Sequence, residues 1–293
     1  MASMTSATSV TSANRCRQIF ALEYVDAHAH VGDASFDPDR EAVLERAAAA
    51  GVIAILCVGE TLADAVRNLE LARLFSLLRP CAGLYPTHLD LTAEREIAAL
   101  IREHRAEVAA IGEVGLDHWK IEDAEGQRIQ EEIFRRQIRL ALELDLPLNV
   151  HSRSAGRRAI EVLAEEGASR VLLHAFDARP ATAELGVAHG FFFSIPPSIV
   201  RSRQKEKLVD RLPLECLLLE TDSPVLGAEP GARNEPAAIA VAAAAVAERK
   251  GVAVEDVAAM TTANARRLFQ LPPGALAARG LLKATAPQSN PLE

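Results

Sequence analysis

The residues best suited to chemistry open near the start of the chain, in Tyr24-Val25-Asp26-Ala27-His28-Ala29-His30. Side chains alternate faces along a β-strand, so Asp26, His28 and His30 project to one side. Two imidazoles at i and i+2, at the end of a buried strand, can grip one metal ion. Four later stretches repeat the design of an apolar run ending in polar groups. They are Ile111-Gly112-Glu113-Val114-Gly115-Leu116-Asp117, Asn149-Val150-His151-Ser152-Arg153, Leu173-His174-Ala175-Phe176-Asp177 and Leu219-Glu220-Thr221-Asp222-Ser223-Pro224. Histidine nitrogen and carboxylate oxygen together suit ions such as Zn, Mn or Fe. Glu113, midway round the set, can bridge two ions about 3.5–4 Å apart, which is the spacing of a hydrolytic clamp. Asp222 can bind metal and also take the proton of an attacking water. Asp26 lies deeper and reads as the group that holds a histidine tautomer. Asp117, Asn149, Glu220 and Asn264 read as supporting groups or rim hydrogen bonders. His88 and His118 fall in loops on the same side, in reach of substrate, whereas His104 and His189 sit in helical patterns and read as solvated.

These groups need a frame that delivers them to one place. Strand patterns run over Tyr24–His30, Val52–Gly59, Arg79–Tyr85, Val108–Asp117, Leu146–Ser152, Arg170–Phe176, Phe191–Ile195 and Cys216–Asp222. Several are almost continuously apolar, as parallel strands covered on both faces should be. Amphipathic helix patterns alternate with them: a first from Asp37 (cap) and Pro38 to Ala50, then Leu62–Phe75, Ala93–Glu107, Gln127–Leu144, Ala159–Glu166, Pro180–His189, Gln204–Leu212, Pro236–Lys250 and Val254–Phe269. The count predicts a TIM-like (β/α)8 barrel, in which chemistry sits at the C-terminal ends of the strands. An open doubly wound sheet would carry a Gly-rich phosphate turn after its first strand. Here that position holds the histidine pair. The predicted organisation is one barrel over residues 23–270 and a loose tail over 271–293. The Ser/Thr-rich segment 1–22, which contains Arg15 and Arg17 and no acid before Glu23, is either a disordered tail or a transit peptide.

Length and composition fit one large core, with 293 residues of which 49% are hydrophobic. No apolar run reaches the roughly 20 residues of a membrane span. Cys57, Cys81 and Cys216 fall in apolar runs and read as small buried hydrophobes, which fits a reducing cytoplasmic, nuclear or organellar setting. The net charge of −8 argues against broad non-specific binding to nucleic acid or anionic membrane.

Taken together, the motifs around Asp26–His30, Glu113, His151, His174 and Glu220–Pro224, with Arg233-Asn234-Glu235-Pro236 and Thr262-Ala263-Asn264-Ala265, resemble the TatD family of metal-dependent hydrolases. That family lies within the amidohydrolase-like barrel superfamily. The resemblance spans Tyr24 to Phe269 and is closest to the third animal-type branch, on the stretches 149–156 and 191–200. It implies two divalent metal ions, Zn, Mg or Mn. It implies His28 and His30 on one ion with Glu113 and Asp222, and Glu113 bridging to a second ion held by His151 and His174. It implies a deoxyribonuclease, a 3′-exonuclease on single-stranded DNA with endonuclease activity at abasic sites in some members. The family often has a histidine where this chain has Tyr85, which leaves His88 as the nearby substitute.

A phosphodiester substrate has positional support. Arg153, Arg157 and Arg158 follow strand five, Arg179 follows strand six, Arg201, Arg203, Lys205 and Lys207 follow strand seven, and Arg233 follows strand eight. Arg153 and Arg233 adjoin strand ends and are the expected phosphate contacts. Lys205 and Lys207 read as ordinary solvated helix charges. Three readings follow: a DNase acting as a monomer without a membrane partner, an amide or ester hydrolase on the same barrel, or a non-catalytic binding protein. Many barrel amidohydrolases bridge their metals with a carbamylated lysine at strand four. The glutamate here favours the first reading.

Overall fold

The structure is a computed structural model that describes residues 22–272. The segment expected to be a tail or transit peptide and nearly all of the expected C-terminal tail lie outside the described residues. Eight strands run β1 (Tyr24–Ala29), β2 (Val52–Cys57), β3 (Leu78–Ala82), β4 (Ala110–Gly115), β5 (Leu148–His151), β6 (Val171–Leu173), β7 (Phe192–Ile195) and β8 (Leu217–Leu219). Each pairs in parallel with the next, in the order β1 to β8. The ring closes beyond the strand ends, where Asp222 N donates to the His28 carbonyl and His30 N to the Ser223 carbonyl, each at 2.8 Å. The expected (β/α)8 barrel is therefore the observed fold. The residues that close it adjoin the chemical motifs.

The outer layer among the described residues comprises α1 (Arg40–Ala49), α2 (Leu62–Leu74), α3 (Leu91–Glu103), α4 (Ala124–Leu144), α5 (Gly156–Glu165), α6 (Pro180–Ala188), α7 (Arg203–Arg211), α8 (Ile239–Lys250) and α9 (Val254–Phe269). Several starts differ from the sequence expectation. The first helix begins at Arg40, not at Asp37-Pro38, because the Asp37 carboxylate pairs with Arg40 and Arg67 instead of capping. Aspartates just upstream start α3 and α4 earlier than expected. Asp90 accepts from Thr92 N and Ala93 N, and Asp123 accepts from Gly126 N.

Strand residues alternate between two apolar clusters. Val171, Leu173, Phe193, Leu217 and Leu219 join the larger one, with the helices. Leu172, Phe192 and Leu218 join the smaller one, together with Leu268, Phe269 and Leu271 from the end of α9 and just past it. The period-two rule carries the second set onward to His174, Ser194, Glu220 and Asp222. The bottom of the barrel is thus sealed by apolar side chains, and its top is lined by polar ones. Cys57, Cys81 and Cys216 are buried free thiols, as expected.

Candidate metal centre

The ends of β1, β4, β5, β6 and β8 bring His28, His30, Glu113, His151, His174 and Asp222 into one cluster. Around one point, His28 Nε2 and His30 Nε2 are 3.3 Å apart. Glu113 Oε2 lies 3.6 Å from the first and 3.3 Å from the second. Asp222 Oδ1 lies 3.6 and 3.5 Å from the same two nitrogens. An ion held tetrahedrally at about 2.0–2.2 Å separates its donor atoms by about 3.3–3.6 Å. Five edges of this four-atom set fall in that window, so the donors fit a divalent ion. The other oxygen of Glu113 turns away. Its Oε1 sits 2.8 Å from both His151 Nδ1 and His174 Nε2, which are 3.3 Å from each other. One carboxylate therefore serves two groups of imidazoles, one with each oxygen.

Buried partners fix which nitrogen each ring presents. Asn149 Nδ2 donates to the Ala27 carbonyl at 2.8 Å, so Asn149 Oδ1 faces His28 Nδ1 at 2.8 Å. That oxygen accepts, so His28 carries its proton on Nδ1 and offers the Nε2 lone pair to the cluster. Asp117 Oδ2 holds His151 Nε2 at 3.1 Å and leaves Nδ1 for Glu113. His174 stacks on His28 with ring centroids 3.7 Å apart. Its Nδ1 is buried without a hydrogen-bond partner and faces Glu220 Oε2 at 3.8 Å. Glu220 is itself pinned by Ser194 Oγ and Ala175 N.

Asp26 takes a different job from the one expected. It accepts from Thr221 N at 2.9 Å and Thr221 Oγ1 at 2.6 Å, so it holds the backbone beside Asp222 and no imidazole. Asn149 does what Asp26 was expected to do. Backbone strain gathers here as well: Ala175 and Asp222 both have positive φ, at 42° and 52°. Gly115, at φ 137°, has no alternative, since a Cβ would lie 2.0 Å from the His151 carbonyl oxygen.

The electrostatics suit metal binding. Burial drives the His174 imidazole down to about 4, helped by the neighbouring His28, so the ring is neutral. Burial opposes ionisation of Glu113, yet His174 and the imidazole hydrogen bonds hold its carboxyl well below the usual range. Asp222 is lowered likewise, against burial, by His30 and His28. Burial works against His151 too, but Asp117 and Glu113 raise it to about 9. A ring held protonated in this way must shed its proton as a cation enters.

A cavity of about 540 Å³ opens over the cluster. His30, Glu113, His151, His174 and Asp222 line it, and so do Glu60, Tyr85, Arg153, Asp177 and Lys205. Arg153 reaches the cavity as expected. Arg233 does not: its guanidinium pairs with both oxygens of Asp39 and with the Ser35 carbonyl. Arg158 is likewise taken up by Glu131, Glu161 and Glu165. His88 is exposed and absent from the lining, while Tyr85 stands edge-on to His151 at 5.0 Å. Burial and the nearby carboxylates push the Tyr85 phenol far up, so it stays a hydroxyl donor.

Lys205 is the residue the sequence reading missed. It is buried, not solvated, with Nζ 3.4 Å from the Ala175 carbonyl, and burial lowers its ammonium against the pull of Glu220 and Asp222. The signal was its spacing, because Lys205, Leu208 and Val209 form the inward i, i+3, i+4 face of α7.

Known proteins share the sequence family and the fold. The TatD related DNase family matches residues 25–270. The human deoxyribonuclease TATDN3 is 44% identical over 257 residues, covering 84% of this chain and 94% of that protein. The uncharacterized metal-dependent hydrolase YabD of Bacillus subtilis is 36% identical, covering 84% and 98%. Among solved structures, the TatD homologue YJJV of Escherichia coli superposes with a TM-score of 0.80 at 28% identity, covering 86% of this chain and all of that one. A TatD family hydrolase of Entamoeba histolytica shares the fold at a TM-score of 0.76 and 20% identity, covering 85% and 98%.

Proposed function

The chain belongs to the TatD related DNase family, and from that premise we propose that it hydrolyses phosphodiester bonds in DNA with two divalent metal ions. The preferred action is 3′-exonucleolytic on single strands, with cleavage at abasic sites as a further activity. The observation that carries the reading is the division of Glu113, with Oε2 toward His28 and His30 and Oε1 toward His151 and His174. A carboxylate set between two groups of imidazoles, with one oxygen toward each, is the arrangement a two-metal centre needs. His28, His30, Glu113, His151, His174 and Asp222 would hold the divalent ions, which would supply a water of lowered pKa and offset charge on the phosphoryl oxygens.

The chain's own residues do the rest. Asp222 is ionised and aimed into the cluster, so it accepts the proton of the attacking water. Lys205 and Arg153 line the cavity and neutralise charge as it builds on phosphate. Asn149 and Asp117 keep His28 and His151 in the required tautomers.

The surface charge supports a polyanionic substrate. Among the described residues, Arg46, Arg73, Arg102, Arg135, Arg136, Arg139 and Arg158 all sit in ion pairs. Arg157, Arg179, Arg203 and Lys207 are exposed and line hollows that adjoin the cavity at Asp177. These cations lead away from the metal cluster along the top of the barrel, where a strand backbone would run.

The test is a 5′-labelled single-stranded oligonucleotide with Mg²⁺ or Mn²⁺, run beside an EDTA control and a Glu113→Ala variant. A ladder of 3′-shortened products, absent from both controls, is expected. Intact oligonucleotide from folded, metal-loaded protein would overturn the DNA reading and direct attention to amide and ester substrates.

A further inference from the structure

We propose that Trp119 is a stacking platform for a nucleobase of the single-stranded substrate, set beside the metal centre so that it orients the strand entering the cavity. The proposal rests on the DNA reading above. Trp119 is the only tryptophan in the chain, and it is 51% exposed. Large aromatic side chains are normally well buried, and an indole left half open offers a flat apolar surface to a planar partner.

Its surroundings are cationic. The Arg153 guanidinium carbon lies 3.7 Å from the ring centroid and Lys120 Nζ lies 4.8 Å from it. Arg153 also lines the cavity, so one side chain touches both the platform and the place where phosphate would sit. A half-open aromatic ring with an arginine stacked over it combines a surface for a base with charge for the backbone, as in sequence-tolerant single-strand binding.

The platform is held at a fixed place. Asp117 Oδ1 accepts the amide protons of Trp119 and Lys120 at 2.9 and 2.8 Å, while Asp117 Oδ2 holds His151. His118 N donates to the Arg153 carbonyl at 3.0 Å and ties the loop after β4 to the loop after β5. One buried carboxylate therefore links the position of the ring to that of a candidate metal ligand. A duplex keeps its bases stacked inside and cannot use the ring without unpairing. A single strand can.

Because the tryptophan is unique, its fluorescence reports on this site alone. The metal-loaded protein would be titrated with phosphorothioate oligothymidylate, which resists cleavage, and with an abasic strand of the same phosphorothioate backbone, length and charge. Saturable quenching by oligothymidylate, and a much smaller change with the abasic strand, is the expected result. Trp119→Ala should bind oligothymidylate about 5–150-fold more weakly by anisotropy, the range for loss of one stacked base, and Trp119→Phe should recover most of that loss. Equal quenching by both strands, or unaltered affinity in Trp119→Ala, overturns the platform. If DNA is cleaved by a protein that shows no such quenching, only the platform falls. If no oligonucleotide is bound or cut, the DNA reading fails and the platform with it.

Discussion

Replacing Asn149 by leucine separates a residue that tunes the metal cluster from one that merely braces the barrel. The substitution keeps the size and the γ-branch. It removes the acceptor for His28 Nδ1 and the donor for the Ala27 carbonyl, both at 2.8 Å and both buried. Each stranded polar group costs about 1–3 kcal/mol, so the metal-free protein should lose about 2–4 kcal/mol, allowing for partial relaxation. A second effect is specific to the cluster. Without Asn149, nothing holds the proton on His28 Nδ1, and the ring is free to place it on Nε2, the nitrogen that faces Glu113 and Asp222. Loss of such a partner weakens metal binding about 10–100-fold, or ~1.4–2.7 kcal/mol. The first effect is read by thermal unfolding in EDTA, and the second by competition of the folded variant against a chromophoric chelator at a temperature well below its transition. The tautomer argument predicts losses in both. A variant that melts early in EDTA yet binds metal with wild-type affinity would refute it, and Asn149 would then be a strut between β1 and β5.

Three further outcomes are expected. Asp222→Asn should abolish oligonucleotide cleavage while the fold, judged by far-UV circular dichroism, is kept; wild-type turnover would remove Asp222 from the role of base. Metal should stabilise the protein by mass action, by about 2.7 kcal/mol at a hundredfold excess over Kd, visible as a rise in Tm that EDTA reverses; no rise with Zn²⁺, Mn²⁺ or Mg²⁺ would speak against the donor set. Glu131, 27% exposed on the side chain, is held at about 2 by its bonds to Arg158 and Arg135, against some burial. A depressed carboxyl adds stability above its unfolded value near 4.5 and loses it as pH falls toward 2. After allowance for screening, that is about 1–2 kcal/mol, so Glu131→Gln should be less stable than wild type at pH 7 and equal to it near pH 2 in urea titrations.

The barrel was legible because its strands are apolar on both faces, a pattern that survives without any partner in view. Their ends were less so. The apolar run at 170–176 continues through Phe176, but β6 stops at Leu173, because the chain must turn at Ala175 to aim His174 inward. Donor positions could be read from strand period, whereas the partners of those donors could not. Asp26 and His28 share a strand face, yet Asp26 bonds Thr221, 195 positions away, and His28 is served by Asn149, 121 positions away. Arg233 and Lys205 exchanged their expected roles for the same reason. Whether a cation is free depends on which carboxylate lies across the gap, and Asp39 happens to lie across from Arg233.

That exchange bears on how a chain with 40 acidic and 32 basic residues could handle a polyanion. Charges more than about 8 Å apart in solvent are largely screened at physiological salt, so the net value matters less than the arrangement on one face. Several acids on the outer helices are bound to arginines of neighbouring helices, as in the group Glu131, Glu165 and Glu166 with Arg135, Arg139 and Arg158. Each such pair is close to neutral at a distance. Arg157, Arg179, Arg203 and Lys207 along the top of the barrel are in no ion pair among the described residues. Of the carboxylates that line the cavity beside them, Glu113 and Asp222 are those whose charge a divalent ion would cancel, and Glu60 and Asp177 lie outside that donor set. Much of the paired acidity is therefore spread over the outer helices, away from the cavity, and the centre becomes more hospitable to phosphate when metal occupies it. Metal binding and substrate binding should thus be coupled, through charge rather than through any movement of the barrel.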